Sequence, residues 1–135
     1  MKIELPGITI TVLKSSQDTG GHVAIFSEKT EPGMGPPLHR HHKQTEVFHV
    51  RKGLYRIQIE EEVLELSEGD CAVVLPGKSH AFKNIGAEVG ELIFELYPAL
   101  DADIFFEKLS RIEDPSEAGM MFEEYSGELV GPSPL

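Results

Sequence analysis

Cysteine is nearly absent from this chain, with Cys71 the only one among 135 residues. An internal disulfide is therefore excluded, and a reducing, cytoplasmic compartment is the simplest expectation. Cys71 itself reads as a small, partly buried strand residue, since no nearby cation would activate it as a nucleophile. Long apolar runs are missing too: nothing approaches the roughly 20 residues of a membrane helix. The N-terminal MKIELPGITITVLK alternates like a strand and has neither a signal-peptide core nor a small-residue cleavage site. Positive charge is scarce, 12 basic against 23 acidic residues for a net −11. A field of that sign repels phosphate backbones and anionic membrane surfaces, so neither nucleic acid nor membrane is an expected partner. No internal repeat, low-complexity tract or helix-turn-helix companion is visible. What remains is 40% hydrophobic residues, enough for the core of one ordinary domain over residues 1–135.

Histidines and glycines supply the positive signal. His39 and His41 are one residue apart, so on an extended strand both face the same way. Glu46 follows after the polar stretch His42-Lys43-Gln44-Thr45, long enough to turn the chain and lay a neighbouring strand alongside. His80 lies farther on, between Gly77 and Asn84, and must arrive from a non-local strand. Three imidazoles and one carboxylate suit a first-row transition ion. Such convergence is expected of a barrel-like β fold with an interior site. Taken singly, each ligand has an ordinary reading as a loop histidine or strand carboxylate; their joint spacing favours metal. His42 points away from His41 on a strand, although His42 in place of His41 is the competing ligand spacing. His49, three residues after Glu46, falls on the opposite face and reads as surface or interface, and His22 reads as unrelated.

Short strands fit the rest of the middle region: residues 3–14, 22–29, 45–51, 54–60, 63–66, 72–75, 80–84 and 91–97. Turns fall at Lys52-Gly53, 60–62, Gly69-Asp70, Gly77-Lys78 and Gly86, and the EPGMGPP segment is an irregular loop. Alternation places Phe48 and Val50 on the face of Glu46, and Phe82 and Asn84 on that of His80. Phe48 and Phe82 would then form an apolar pocket wall; core packing is their ordinary role, stacking on a flat substrate the alternative. Arg56 and Gln58 oppose the apolar Tyr55, Ile57 and Ile59 and so face solvent. After Pro98 the pattern turns helical. Residues 101–110 set Ile104, Phe105 and Leu109 near one face. Asp114-Pro115-Ser116-Glu117 looks like a capped helix start, followed by Met120, Met121, Phe122 and Tyr125. These helices are expected to cover a barrel face, or, more sharply, to form a lid with Phe105, Phe106, Met120 and Met121 near a ligand.

The segments GMGPPLHRHHKQTEVFHVRKG (33–53) and GDCAVVLPGKSHAFKN (69–84) closely resemble the two motifs of the cupin family, in the right order. One departure is Leu75 where the family usually has proline, with Pro76 one place later; it alters a turn and leaves His80 untouched. The resemblance covers roughly residues 20 to 97. It implies an all-β, double-stranded β-helix (jelly-roll barrel), here with two short C-terminal helices over about 101–125, and a metal held by His39, His41, Glu46 and His80. Fe, Mn, Ni, Co and Zn are all compatible. Small cupins with a similar HxHHxxxE cluster include quercetinase-like dioxygenases. The implied activity is thus metal-dependent, dioxygenase-like oxidation of a small oxygenated organic molecule, with Glu46 as the residue that binds metal and accepts a substrate proton. The alternatives are a non-catalytic ligand-binding or sensor module and a Zn-dependent isomerase or cyclase, because such barrels host many functions. The resemblance also implies a homodimer, with the N-terminal strand at Ile8, Ile10 and Val12 as the candidate for a partner's sheet edge.

Overall fold

The computed structural model describes residues 1–135, and eleven strands, two α-helices and two 3-10 turns account for its regular structure. The strands are β1 (Lys2–Leu5), β2 (Ile8–Lys14), β3 (Ala24–Thr30), β4 (Leu38–His41), β5 (Thr45–Lys52), β6 (Tyr55–Ile59), β7 (Glu62–Leu66), β8 (Cys71–Val74), β9 (His80–Asn84), β10 (Gly90–Tyr97) and β11 (Gly127–Gly131). The helices are α1 (Ala102–Ser110) and α2 (Ala118–Glu124). A six-stranded sheet in the order β1-β2-β3-β10-β5-β8 faces a five-stranded sheet in the order β11-β4-β9-β6-β7. Every strand pairing is antiparallel, the arrangement of a double-stranded β-helix. No helix is long and apolar enough to cross a membrane.

Period-two alternation decides which residues enter the space between the sheets. On β10, Leu92, Phe94 and Leu96 are buried, while Glu91, Ile93, Glu95 and Tyr97 are less so. Phe94 lies in register with Phe26 on one neighbour and Phe48 on the other, giving a cross-strand row of three aromatic rings. Phe26 and Phe94 stack at 4.8 Å, near-parallel, and Phe106 of α1 closes edge-on over both. The core is continuous from this row to Tyr55, Ile57 and Phe82 on the opposing sheet.

The ends of the chain depart from the sequence reading. Residues 3–14 are not one strand but a hairpin, turned at Pro6-Gly7. Ile8 and Ile10 therefore belong to an interior strand and are buried, and the free edge is β1. Beyond α2 the chain returns as β11, which pairs with β4 and completes the smaller sheet. Its five residues, Gly-Glu-Leu-Val-Gly, carry too little alternation to announce a strand; pairing with a distant segment makes it one. On α1 the inward residues are Ala102 and Phe105, while Ile104 is exposed, so the apolar face is rotated from the expected one. Asp114 accepts a hydrogen bond from the Ser116 amide, as expected of a cap, but what it starts is a 3-10 turn (Pro115–Glu117) that leads into α2. Cys71 is exposed rather than partly buried, because it opens the edge strand β8 on its outer face.

Candidate metal centre

Local structure at β4 follows from its neighbours on either side. Leu38 and Arg40 point outward while His39 and His41 are buried, as one-residue spacing on a strand requires. Register then brings the remaining groups in. His39 pairs with His80 at the start of β9, and Leu129 and Gly127 of β11 pair with His39 and His41 from the other side. Glu46 is the first inward residue of β5. The turn between β4 and β5 is pinned by buried Gln44, whose amide donates to the Pro98 and Ala99 carbonyls at 2.9 Å each. Gly77, at φ 83°, donates its N–H to the His41 carbonyl at 2.7 Å. That left-handed turn is where glycine is required, and it ties the approach to His80 to the strand carrying His41.

The four side chains meet in the interior, each less than 9% exposed, with their ligand atoms within 4.8 Å of one another. Bonds of about 2.1 Å put opposite ligands about 4 Å apart, so only a modest contraction is needed around an ion. Two imidazoles are oriented by their far nitrogens. His39 Nδ1 donates to the Pro37 carbonyl at 2.8 Å and His80 Nδ1 to the Lys78 carbonyl at 3.0 Å, which turns both Nε2 atoms inward. His80 Nε2 lies 2.9 Å from Glu46 Oε1. An ion bound through His80 Nε2 would take the place of that contact with Glu46 Oε1. His41 Nε2 sits 3.4 Å from the same oxygen but makes no hydrogen bond, leaving a buried nitrogen without a partner. An orphaned inward-facing nitrogen beside a carboxylate is what a ligand set awaiting an ion presents.

Electrostatics agree with that assignment. Burial, then the charge of His80 and His41, holds His39 well below the usual histidine range, so it is neutral and free to ligate. Burial alone would raise the Glu46 carboxyl, but the adjoining His41 and His80 imidazoles more than reverse this and keep it ionised.

A cavity of about 680 Å³ opens from the centre, within the usual size for a small-molecule site. Phe48 and Phe82 line it, with ring centroids 5.3 Å apart. The helical segment forms another wall through Phe105, Phe106 and Phe122, whose ring is 5.5 Å from that of His39. Met120 and Met121 do not line it; Met120 is 75% exposed. His42 is exposed on the outer face of the turn, and His22 is exposed before β3. His49 faces outward, 2.7 Å from Glu95. Arg56 also faces outward, paired with Glu65 at 3.0 Å.

Two contributors escaped the sequence reading. Phe122 sits beside the centre only because β11 folds back onto β4 and carries α2 with it. Glu28 is the other, although its signal is local: Ala24, Phe26, Glu28 and Thr30 alternate on β3, and all four are buried. A carboxylate on the apolar face of a strand is itself a signal.

Comparison with known proteins bears on the fold. The cupin-domain model Cupin_2 matches residues 26–95, just over half of the chain. No curated protein matches. Among solved structures, KdgF from Halomonas sp. superimposes with a TM-score of 0.68 at 19% identity, covering 76% of this chain and 90% of that one. A predicted oxalate decarboxylase from Thermotoga maritima gives 0.65 at 20% identity, covering 67% and 79%. An RmlC-like cupin from Shewanella frigidimarina gives 0.66 at 18% identity, covering 76% and 87%. At such identities the likeness is one of fold.

Proposed function

The chain belongs to the cupin-domain family, and from that premise we propose that it is a metal-dependent, dioxygenase-like enzyme acting on a small, flat, oxygen-bearing organic molecule. The observation that carries the reading is the position of the ligand set: three buried imidazoles and a buried carboxylate at the end of a cavity walled by aromatic rings. A divalent ion held by His39, His41, Glu46 and His80 supplies a Lewis acid and, if it is Fe, Mn, Co or Ni, redox chemistry with dioxygen as the oxidant.

The chain's own residues do the rest. Phe48 and Phe82, packed edge-to-face, give a planar substrate an apolar wall, and the rings of Phe105, Phe106 and Phe122 line the cavity from the helical side and keep water out. The far-nitrogen hydrogen bonds of His39 and His80 hold those rings in place through turnover. Glu46, ionised, with Oε1 2.9 Å from His80 Nε2 and 3.4 Å from His41 Nε2, is the base positioned to take a proton from the hydroxyl of an enediol or catechol or from the acidic carbon of a β-diketone.

Substrate-dependent oxygen uptake by protein reconstituted anaerobically with Fe, Mn, Co or Ni is the test, using a panel of enediols, β-diketones and catechols. Uptake that disappears in Glu46→Gln supports the reading. Saturable binding of panel members without oxygen uptake or product contradicts it in favour of a ligand-binding module. Turnover with Zn and no oxygen consumption would instead assign an isomerase or cyclase.

A further inference from the structure

Glu28 has no role in the metal centre, yet it is the most unusual side chain of the barrel interior. Its register neighbours are Ile10 and Leu92, and Val50 lies beyond Leu92, so a single carboxyl interrupts an apolar row across four strands. Only 4% of the residue is exposed, and it lines the same cavity as His39, His41 and Glu46. No lysine, arginine or histidine is paired with it. Its one hydrogen bond within the chain comes from Thr30, whose Oγ1 donates to Oε2 at 2.6 Å.

That bond ends a directed chain. Tyr55 reaches across from the opposite sheet and donates its Oη hydrogen to Thr30 Oγ1 at 3.0 Å. Room for the tyrosine ring exists because residue 90 is glycine: a Cβ there would lie 2.7 Å from the Tyr55 hydroxyl. Thr30 is held from behind by Asn84 of the second motif, whose Nδ2 donates to the Thr30 carbonyl at 2.8 Å. The network thus runs from Tyr55 through Thr30 to Glu28 and terminates on a carboxyl oxygen with no further donor from the protein. Tyr55 is itself buried, so the chain is not a route to solvent.

We propose that Glu28, backed by Thr30 and Tyr55, is a second polar subsite of the cavity, which binds a hydroxyl group carried on the part of the ligand remote from its metal-binding oxygens. Burial pushes the Glu28 carboxyl up to about 8, against a lowering by Thr30 and with a further rise from the charge of Glu46, so it is protonated at neutral pH. A neutral carboxyl offers both an O–H donor and an acceptor, which a hydroxyl can satisfy together. The ligand class is therefore a flat, largely apolar body bearing oxygens toward the metal and a hydroxyl elsewhere. This inference rests on the metal-anchored reading of the site.

The test uses Zn-loaded protein under nitrogen and four probes: 4-phenylcatechol and its 2′-, 3′- and 4′-hydroxy derivatives, titrated by calorimetry. At least one hydroxylated probe is expected to bind about three- to tenfold more tightly than 4-phenylcatechol, the value of one net hydrogen bond. Glu28→Leu should erase that preference, so that no hydroxylated probe binds more tightly than 4-phenylcatechol to the variant. Glu28→Gln, which keeps an acceptor for Thr30 and a donor toward the cavity, should retain part of it, and serves if the leucine variant fails to fold. No preference for any hydroxylated probe, or a preference that survives in Glu28→Leu, overturns the subsite while leaving the metal centre intact. Failure of all four probes to bind Zn-loaded protein overturns the metal-anchored ligand reading and the subsite with it.

Discussion

Glu28 and Glu46 are both buried carboxyls in one cavity, and their surroundings drive them apart. Glu46 has two imidazoles beside it and stays ionised; Glu28 has only a hydroxyl and is pushed up to about 8 from an ordinary 4.5. Between those two values the folded chain holds a proton at Glu28 that the unfolded chain has released. The stability it contributes is complete below pH 4.5 and is lost as pH rises through 8. His39, held neutral, acts with the opposite sign, since its contribution grows as pH rises toward the ordinary histidine value. Comparing metal-free parent with Glu28→Gln at each pH isolates the carboxyl. In urea unfolding the parent should lose a few kcal/mol relative to the variant between pH 5 and 8, since a tenfold change in proton activity is worth about 1.4 kcal/mol. Parallel pH profiles would contradict the protonated assignment. The ligand pair makes a second residue-level prediction. His41→Ala should weaken Zn or Co binding by about 100-fold or more, exceeding the effect of losing an outer partner, while His42→Ala changes it little. Equal losses would contradict the face assignment.

The convergence of the four candidate ligands was readable because strand alternation and turn glycines determine where short segments point. Gly77 and Asn84 illustrate why both motifs matter: one ties its turn to the His41 carbonyl, the other anchors the strand carrying Thr30. What stayed hidden depended on distant pairing. β11 is defined by its bonds to β4, and α2 is held over the centre by that return. Phe122 links the two, buried against Phe105 at 5.0 Å and close to His39. Phe122→Ala should destabilise the metal-free protein by the lower part of about 3–5 kcal/mol, because one side of the ring already faces the cavity. Denaturant unfolding measures this, and an unchanged midpoint would mean that the helical wall is not packed as described.

Taken whole, the molecule is a two-sheet barrel with two buried polar clusters, the candidate metal site and the Glu28-Thr30-Tyr55-Asn84 network, and with a cavity closed on one side by the C-terminal helices. β1 ends the larger sheet with unpaired backbone groups, and Lys2 and Glu4 alternate there with Ile3 and Leu5. We propose pairing of two copies along this edge, for which native light scattering should give about twice the 14.9 kDa chain mass. A single monomeric species at micromolar concentration would refute it. At this scale the sequence revealed the barrel but not its edges. Ile8 and Ile10 look like edge residues only if residues 3–14 are one strand; Pro6-Gly7 is the local turn signal that splits them into a hairpin and puts β1 at the edge.

Metal content tests the central claim most directly. Untagged protein purified without chelators, then reconstituted and desalted, should hold close to one equivalent of Fe, Mn, Co, Ni or Zn by elemental analysis, and folded His80→Ala should hold almost none. A parent that retains no metal after reconstitution, or a variant that retains as much as the parent, would contradict the assignment of His39, His41, Glu46 and His80 as a metal centre.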